Sequence, residues 1–195
     1  MRDGETEEAW SFRETIATPR LNLRRPDAGD QATLRAIAAN RRIAESLAAS
    51  PCANGNVALA IVERASGSVI GGAGMVPLAD RAATAEIGAF LAESWWGKGY
   101  GTEAIQSLVE HVFADGRFVT IWAACRATNP SARRVMEKCG FQFRGAGMVR
   151  APAPVGAVPV ERYMLDRRNW ESLMAWGAAL RGRRASDVSR THDAA

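Results

Sequence analysis

Trp95-Trp96-Gly97-Lys98-Gly99-Tyr100-Gly101-Thr102-Glu103-Ala104 is the stretch on which the fold turns. Three glycines alternate with other residues, after an apolar run that reads as a strand and before an amphipathic run that reads as a helix. Glycine at every second position lets the backbone turn tightly and removes the Cβ atoms that would shield its N–H groups. The helix that follows adds its own unpaired N–H groups and the positive end of its dipole. Together they form a backbone cradle for a phosphate or pyrophosphate. Neither common nucleotide loop fits well. A P-loop places Ser or Thr directly after Gly-Lys, and here Gly99 follows Lys98. The dinucleotide fingerprint has its third glycine one residue later and stands at the first strand–helix turn, not mid-chain. The alternative without a ligand is a glycine-rich turn that only joins strand to helix.

A second segment changes the balance. Asn129-Pro130-Ser131-Ala132-Arg133-Arg134-Val135-Met136-Glu137-Lys138-Cys139-Gly140-Phe141 follows an apolar run from Phe118 to Cys125. Asn129 is a good N-cap and Pro130 suits the first helical position. Ala132, Val135, Met136 and Cys139 make one apolar face at helical spacing, and Gly140 ends the helix.

In this order and spacing the two segments resemble the GNAT superfamily of acyl-CoA-dependent N-acetyltransferases. Its cofactor loop runs [Gln/Arg]-x-x-Gly-x-[Gly/Ala], and Trp96 to Gly101 fits except that Trp96 stands where Gln or Arg is usual. Trp96 to Ala104 is similar to the RimJ/RimL-type subgroup, the ribosomal-protein N-terminal acetyltransferases and their relatives. Thr18-Pro19-Arg20-Leu21-Asn22-Leu23-Arg24 is similar to that subgroup's T-x-R-L-x-L-R opening. The resemblance runs from about Thr18 to Trp176. It implies an α/β fold: a central, mostly antiparallel sheet splayed in a V at the cofactor site and flanked by helices. It implies acetyl-CoA as acyl donor, bound between the strand before the glycine loop and the strand before the Asn129 helix. By that match Phe90, Leu91 and Ala92 pair their backbone with the pantetheine arm. Gly97, Lys98, Gly99, Tyr100, Gly101 and Thr102 hold the pyrophosphate. Asn129 contacts the pantetheine region, and Ser131 beside it is a further cofactor-binding candidate. Trp95 and Trp96 either line the cofactor or acceptor entrance or pack the loop against the sheet; packing is favoured for at least one, and Trp96 is the cofactor-binding candidate of the two.

Acetyl transfer to an amine requires the thioester held close to the nitrogen, an amine stripped of its extra proton, and donors for the carbonyl oxygen. Glu86 is the candidate base, on the strand leading to the loop, where the family places a catalytic glutamate. A solvated strand glutamate is its bland alternative. Glu93 reads as a surface residue in the turn, His111 as an ordinary helix residue, and Glu103 as a capping residue at the helix start. Two departures stand out. Met136 occupies the place where many members carry a proton-donating Tyr, and Ala132 the place where the subgroup often has Ser. Tyr163 is a distant candidate acid. The competing readings are an acyl-CoA-binding module without turnover, and a nucleotide-binding regulatory domain resting on the glycine loop alone.

Composition agrees with one domain. The chain has 195 residues, enough for a proper core, and 47% are hydrophobic. Cys52, Cys125 and Cys139 form neither metal spacing nor an even disulfide set, so they read as core residues in a reducing cytoplasm, with no metal expected. No apolar run approaches membrane-spanning length. The net charge of +4 is spread along the chain, which argues against nucleic acid as partner. The expected partner is an amine substrate, a peptide or small molecule, with the chain a monomer or homodimer. Residues 1–17 read as an acidic arm, 18–178 as the acetyltransferase domain, and 179–195 as a polar tail.

The remaining elements follow from patterning. Arg20–Arg25, Val57–Val62, Val69–Val76 and Ala85–Leu91 read as strands, and Tyr100–Asp115 as a long helix with Ala104, Ile105, Leu108, Val109, Val112 and Phe113 inside. Two helices are expected between the first strands, one capped by Asp27 or Asp30 and one over Arg41–Ala49. Phe141–Phe143 and Val160–Leu165 read as strands around a Pro/Gly/Ala loop, Gly145–Pro159, before a short helix with Trp170, Leu173 and Trp176. That loop and Ala39–Asn56 are expected to flank the acceptor and set selectivity.

Overall fold

The computed structural model describes residues 15–47, 50–52, 57–150, 156–177 and 179. Thirteen elements run in the order β1 (Ile16–Ala17), β2 (Leu21–Arg24), α1 (Asp30–Ala39), α2 (Arg41–Leu47), β3 (Leu59–Glu63), β4 (Val69–Pro77), β5 (Thr84–Leu91), a 3-10 turn (Glu93–Trp95), α3 (Tyr100–Ala114), β6 (Thr120–Arg126), α4 (Pro130–Lys138), β7 (Gln142–Arg150) and β8 (Ala157–Asp166). Helical residues 167–177 follow. The strands form one sheet in the order β1-β2-β3-β4-β5-β6-β8-β7. Every pairing is antiparallel except β5 with β6.

That exception makes the site. β5 and β6 pair only at Thr84↔Thr120, Ala85↔Ile121 and Glu86↔Trp122. Beyond Glu86, β5 continues to Leu91 paired with β4, while β6 continues to Arg126 paired with β8. The two inner strands therefore part, and a V opens in mid-sheet. The parallel pair needs a crossover connection, and α3 supplies it.

Alternation sorts the side chains. Ala85, Ile87 and Leu91 face the main core, where they meet Ile105, Leu108, Val109, Val112 and Phe113 of α3. Each of the buried Ile, Leu, Val and Phe side chains contributes about 1.5–3 kcal/mol. Phe90 faces the other way, into a smaller cluster with Leu34 of α1 and Ile43 and Leu47 of α2. The six residues expected on the buried side of the long helix are all buried, joined by Ser107. Gly88 is required by the fold. A Cβ there would run into Ser50 and Pro51, which cross β5 at that point.

Sequence patterning and structure part company in two places. The Gly145–Pro159 loop is mostly sheet: β7 extends to Arg150 and β8 begins at Ala157. Small and apolar residues there alternate across a paired hairpin, which local composition does not reveal. Asp30 does not cap α1. It is 6% exposed and accepts two bonds from Arg24, at 2.5 and 3.1 Å, while Asp27 Oδ1 accepts from Asp30 N–H. The Arg24 guanidinium holds the Asp30 carboxyl below its ordinary range, against the opposing effect of burial. Of the acidic arm, Ile16 and Ala17 pair with β2. Residues 1–14 and the tail from residue 180 lie outside the described residues.

Candidate active site

The glycine loop has the backbone of an anion nest. Gly97 and Gly99 both sit in the left-handed region, at φ 75° and 84°, and α3 starts directly after Gly99. Successive N–H groups in such a turn point to one side. Gly101, in the first turn of α3, has room for a side chain: a Cβ there would make only ordinary contacts, 3.8 Å from Leu91 Cδ1 and Val135 Cγ2.

The chain's opening motif locks this loop. Glu103 accepts from Thr18 Oγ1 at 2.6 Å, from Arg20 N–H at 2.9 Å and from Arg20 Nε at 2.6 Å. Arg20 also donates to the Lys98 carbonyl at 2.9 Å and lies 4.4 Å from the Tyr100 ring centre. Partial burial raises the Glu103 pKa, but the bonds from Thr18 and Arg20 outweigh it and the net shift is downward. Thr18 and Arg20 thus have a role that the sequence reading left open. The motif marked them, but only the fold brings them to a residue more than eighty positions away.

Trp96 is tied back onto β5. Its indole Nε1 donates to the Leu91 carbonyl at 2.8 Å, and the Arg42 guanidinium lies 5.3 Å from its ring centre. Arg42 also pairs with Glu93 at 2.7 Å, so α2 is fastened to the loop's entrance. Lys98 Nζ lies 4.9 Å over the Trp95 ring.

Only part of the expected Phe90-Leu91-Ala92 backbone faces the V. Ala92 N–H donates to Ile70 O on β4. In an antiparallel ladder the bonding direction alternates, so Phe90 turns its backbone toward β4 as well, and Leu91 toward the gap. Since the Leu91 carbonyl is occupied by Trp96, its N–H is the group left on the gap side. Across the gap, Asn129 caps α4: its Oδ1 accepts from Ala132 N–H at 3.0 Å. Its Nδ2 donates to Ser46 of α2 at 3.3 Å. Ser131 is exposed on the first turn of α4. Arg126, at the end of β6, has a buried Nε with no hydrogen-bond partner among the described residues. Its NH1 reaches Glu45 at 3.4–3.5 Å. No sequence motif signalled this orphan donor.

Glu86 stands where the strands begin to part, on the α1/α2 face. It lines a pocket of about 340 Å³ with Ser50, Trp122, Arg81 and Arg162. Burial raises its pKa, while the positive charges of Arg162 and Arg81 pull the other way. The other candidates fall outside this region. His111 is in the last turn of α3, far along the helix from the glycine loop. Tyr163 is 3% exposed, and its hydroxyl donates to Glu161 at 2.8 Å, a carboxylate also held by Arg133. Burial and that bond push its pKa up. Met136 is buried in the core. Burial pushes the thiols of Cys52 and Cys139 to about 12 and that of Cys125 to about 11, so none acts as a nucleophile near neutral pH. Among the described residues no cluster suits a metal ion, and no helix is long and apolar enough to cross a membrane.

Comparison with known proteins agrees with this geometry. The ribosomal-protein-serine acetyltransferase of Escherichia coli (strain K12) is 37% identical over 62 residues, covering 32% of this chain and 35% of that protein. The aligned stretch therefore spans about a third of that curated relative. The fold is that of an acetyltransferase (GNAT family) from Bacillus anthracis, at TM-score 0.67 and 20% identity, over 78% of this chain and 98% of that one. It is also that of AAC(6')-Ib in complex with ribostamycin and coenzyme A, at TM-score 0.60 and 22% identity, over 78% and 96%. Residues 20–142, more than half of the chain, match the acetyltransferase (GNAT) domain, and the chain belongs to that family.

Proposed function

We propose that the chain transfers an acetyl group from acetyl-CoA to a primary amine, on a peptide N-terminus or a small molecule, with Glu86 taking the amine's proton. One observation carries this reading: β5 and β6 part immediately after Glu86, toward the end of β5 from which the chain runs into the glycine nest. Base and anion cradle thus stand at the two ends of one gap.

The residues along the gap fit an acyl-CoA. The N–H groups around Gly97 and Gly99 and the start of α3 would hold the pyrophosphate. The Leu91 N–H, on the gap side of β5, is a donor suited to an amide carbonyl along the arm. Asn129 acts chiefly as a cap that sets the α4 wall. When bound, acetyl-CoA supplies the acetyl group as a thioester, open to attack by an amine lone pair.

An acceptor amine is mostly protonated near neutral pH and has no lone pair until that proton leaves. Glu86, ionised, accepts the proton directly or through one water. Its upward shift brings the carboxylate closer to the pH at which a base works best. No acid is needed at position 136, because a thiol is far more acidic than an alcohol or an amine and leaves tolerably as the anion. Tyr163 stays structural. Its hydroxyl is committed to Glu161, and it pairs with Ala123 on the core side of β6. Three buried, free cysteines suit a reducing compartment such as the cytoplasm.

Two measurements test the reading together: calorimetric titration with acetyl-CoA, and release of free CoA with a panel of peptides, amino acids and amines. Binding with turnover is expected. Binding without turnover on any acceptor would make the chain an acyl-CoA-binding module, and absence of binding would refute the reading.

A further inference from the structure

The pocket at Glu86 has a second charged wall. Four charged side chains line it: Asp80, Arg81, Glu86 and Arg162. Two of them attend to each other. Asp80 Oδ2 lies 3.8 Å from Arg81 Nε, and Arg81 lies over the Trp122 ring, 4.9 Å from its centre. Glu86 meets the acceptor's ammonium in the reaction above. Arg162 remains. It is exposed, and its side chain makes no hydrogen bond or contact ion pair among the described residues; its charge reaches Glu86 across the pocket.

The register places this charge. Glu86 pairs with Trp122 on β6, and Arg162 on β8 pairs with Ala124, two residues further along β6. Trp122 and Ala124 share a face by alternation, so Glu86 and Arg162 rise from the same side of the sheet. Two strand spacings and one two-residue step set their backbones about 12 Å apart. A negative and a positive group therefore converge from opposite walls of one small pocket. A volume of about 340 Å³ is at the small end for ligand sites, room for a single residue.

We propose that Arg162 selects acceptor amines that also carry a carboxylate, as in a peptide whose first residue is acidic. The inference rests on the acetyl-transfer reading above. The match is one of signs: ammonium toward Glu86, carboxylate toward Arg162. A guanidinium suits the second task because its planar fork binds a carboxylate through two parallel bonds. A polyamine would instead bring a second cation against Arg162.

The test uses the full chain with acetyl-CoA, following free CoA release. The acceptors are two matched pairs: aspartyl-alanine amide against asparaginyl-alanine amide, and glutamyl-alanine amide against glutaminyl-alanine amide, with spermidine as the polycation. In each pair the carboxylate member should have the higher kcat/KM, by about tenfold or more and mainly through KM, and both should exceed spermidine. Arg162→Gln should bring the ratio toward one, and Arg162→Lys should restore part of it, in variants whose melting temperatures match the parent. Equal kcat/KM within each pair, preference for spermidine, or a ratio that Arg162→Gln leaves in place would overturn the proposal while leaving acetyl transfer standing. A chain that acetylates no acceptor, whether or not it binds acetyl-CoA, overturns the proposal and the acetyl-transfer reading together.

Discussion

Glu86→Gln keeps the shape of the side chain and removes its charge, and its two consequences run in opposite directions. Loss of a general base lowers the rate by about a hundred- to ten-thousandfold, or about 3–5 kcal/mol of barrier. Stability responds with the other sign. Burial raises the folded-state pKa above the ordinary 4.5, with Arg162 and Arg81 offsetting part of that cost. The folded protein therefore holds the Glu86 proton over a range where the unfolded chain has lost it. Stability falls as pH climbs from about 4.5 through the raised value and stays lower above it. Glutamine carries no such penalty. At neutral pH the variant should melt no lower than the parent, and any advantage should vanish below about pH 4.5. The assay pairs thermal melts across this range with kcat/KM against pH, using acetyl-CoA and an acceptor that turns over. The parent's acid limb should lie above the ordinary carboxylate range and be lost in the variant. Unchanged turnover with an unchanged pH profile would refute the catalytic role. A fall of many degrees in Tm would show that Glu86 holds the fold together instead.

The loop and its fastenings give further tests. Gly101→Ala should stabilise the chain by about 0.5–1 kcal/mol through helix propensity, with acetyl-CoA affinity kept in calorimetry, since the added Cβ meets nothing closer than 3.8 Å. Gly99→Ala should instead lose about 1–2 kcal/mol, because its φ of 84° strains any side chain, and should weaken acetyl-CoA binding. Glu103→Ala should cost about 2–3 kcal/mol in denaturant melts and loosen the loop, seen as weaker acetyl-CoA binding. Because the Glu103 pKa is lowered on folding, the carboxylate's contribution is full above about pH 4.5 and is lost as pH falls through the folded value; the variant's melts should lose that acid dependence. Asn129→Ala removes the α4 cap, costing about 1 kcal/mol and 2–4 °C in Tm.

Periodic segments were legible in the sequence because their physics is local. The α3 stripe, the Asn129 cap with Pro130 behind it and the alternation in β5 each follow from neighbours within a few residues. The β7–β8 hairpin was not legible in full. Gly145, Ala146, Gly147 and Pro159 look like loop residues, and only cross-strand pairing turns them into sheet. Of the two acids expected to cap α1, Asp27 accepts from the first helical N–H, whereas Arg24, six residues away, claims both oxygens of Asp30.

The site divides along the same line. The cradle is local, so three glycines announced it. Its supports are not local: Thr18, Arg20 and Arg42 reach the loop only once β2 and α2 are in place. Trp96 shows what the motif alone leaves out. A Gln or Arg at that position would bring a flexible polar end to the loop, whereas the indole is held by the Leu91 carbonyl on one side and Arg42 on the other. That arrangement occupies an acceptor at the end of β5 and leaves the Leu91 N–H facing the gap. Arg162 belongs to no motif and comes to the Glu86 pocket only because β5, β6 and β8 lie side by side, whereas Arg81 stands five residues before Glu86 in the turn that leads into β5. The glycine loop is therefore legible from its own neighbours, whereas the Glu86 and Arg162 charges face one pocket only through the sheet order.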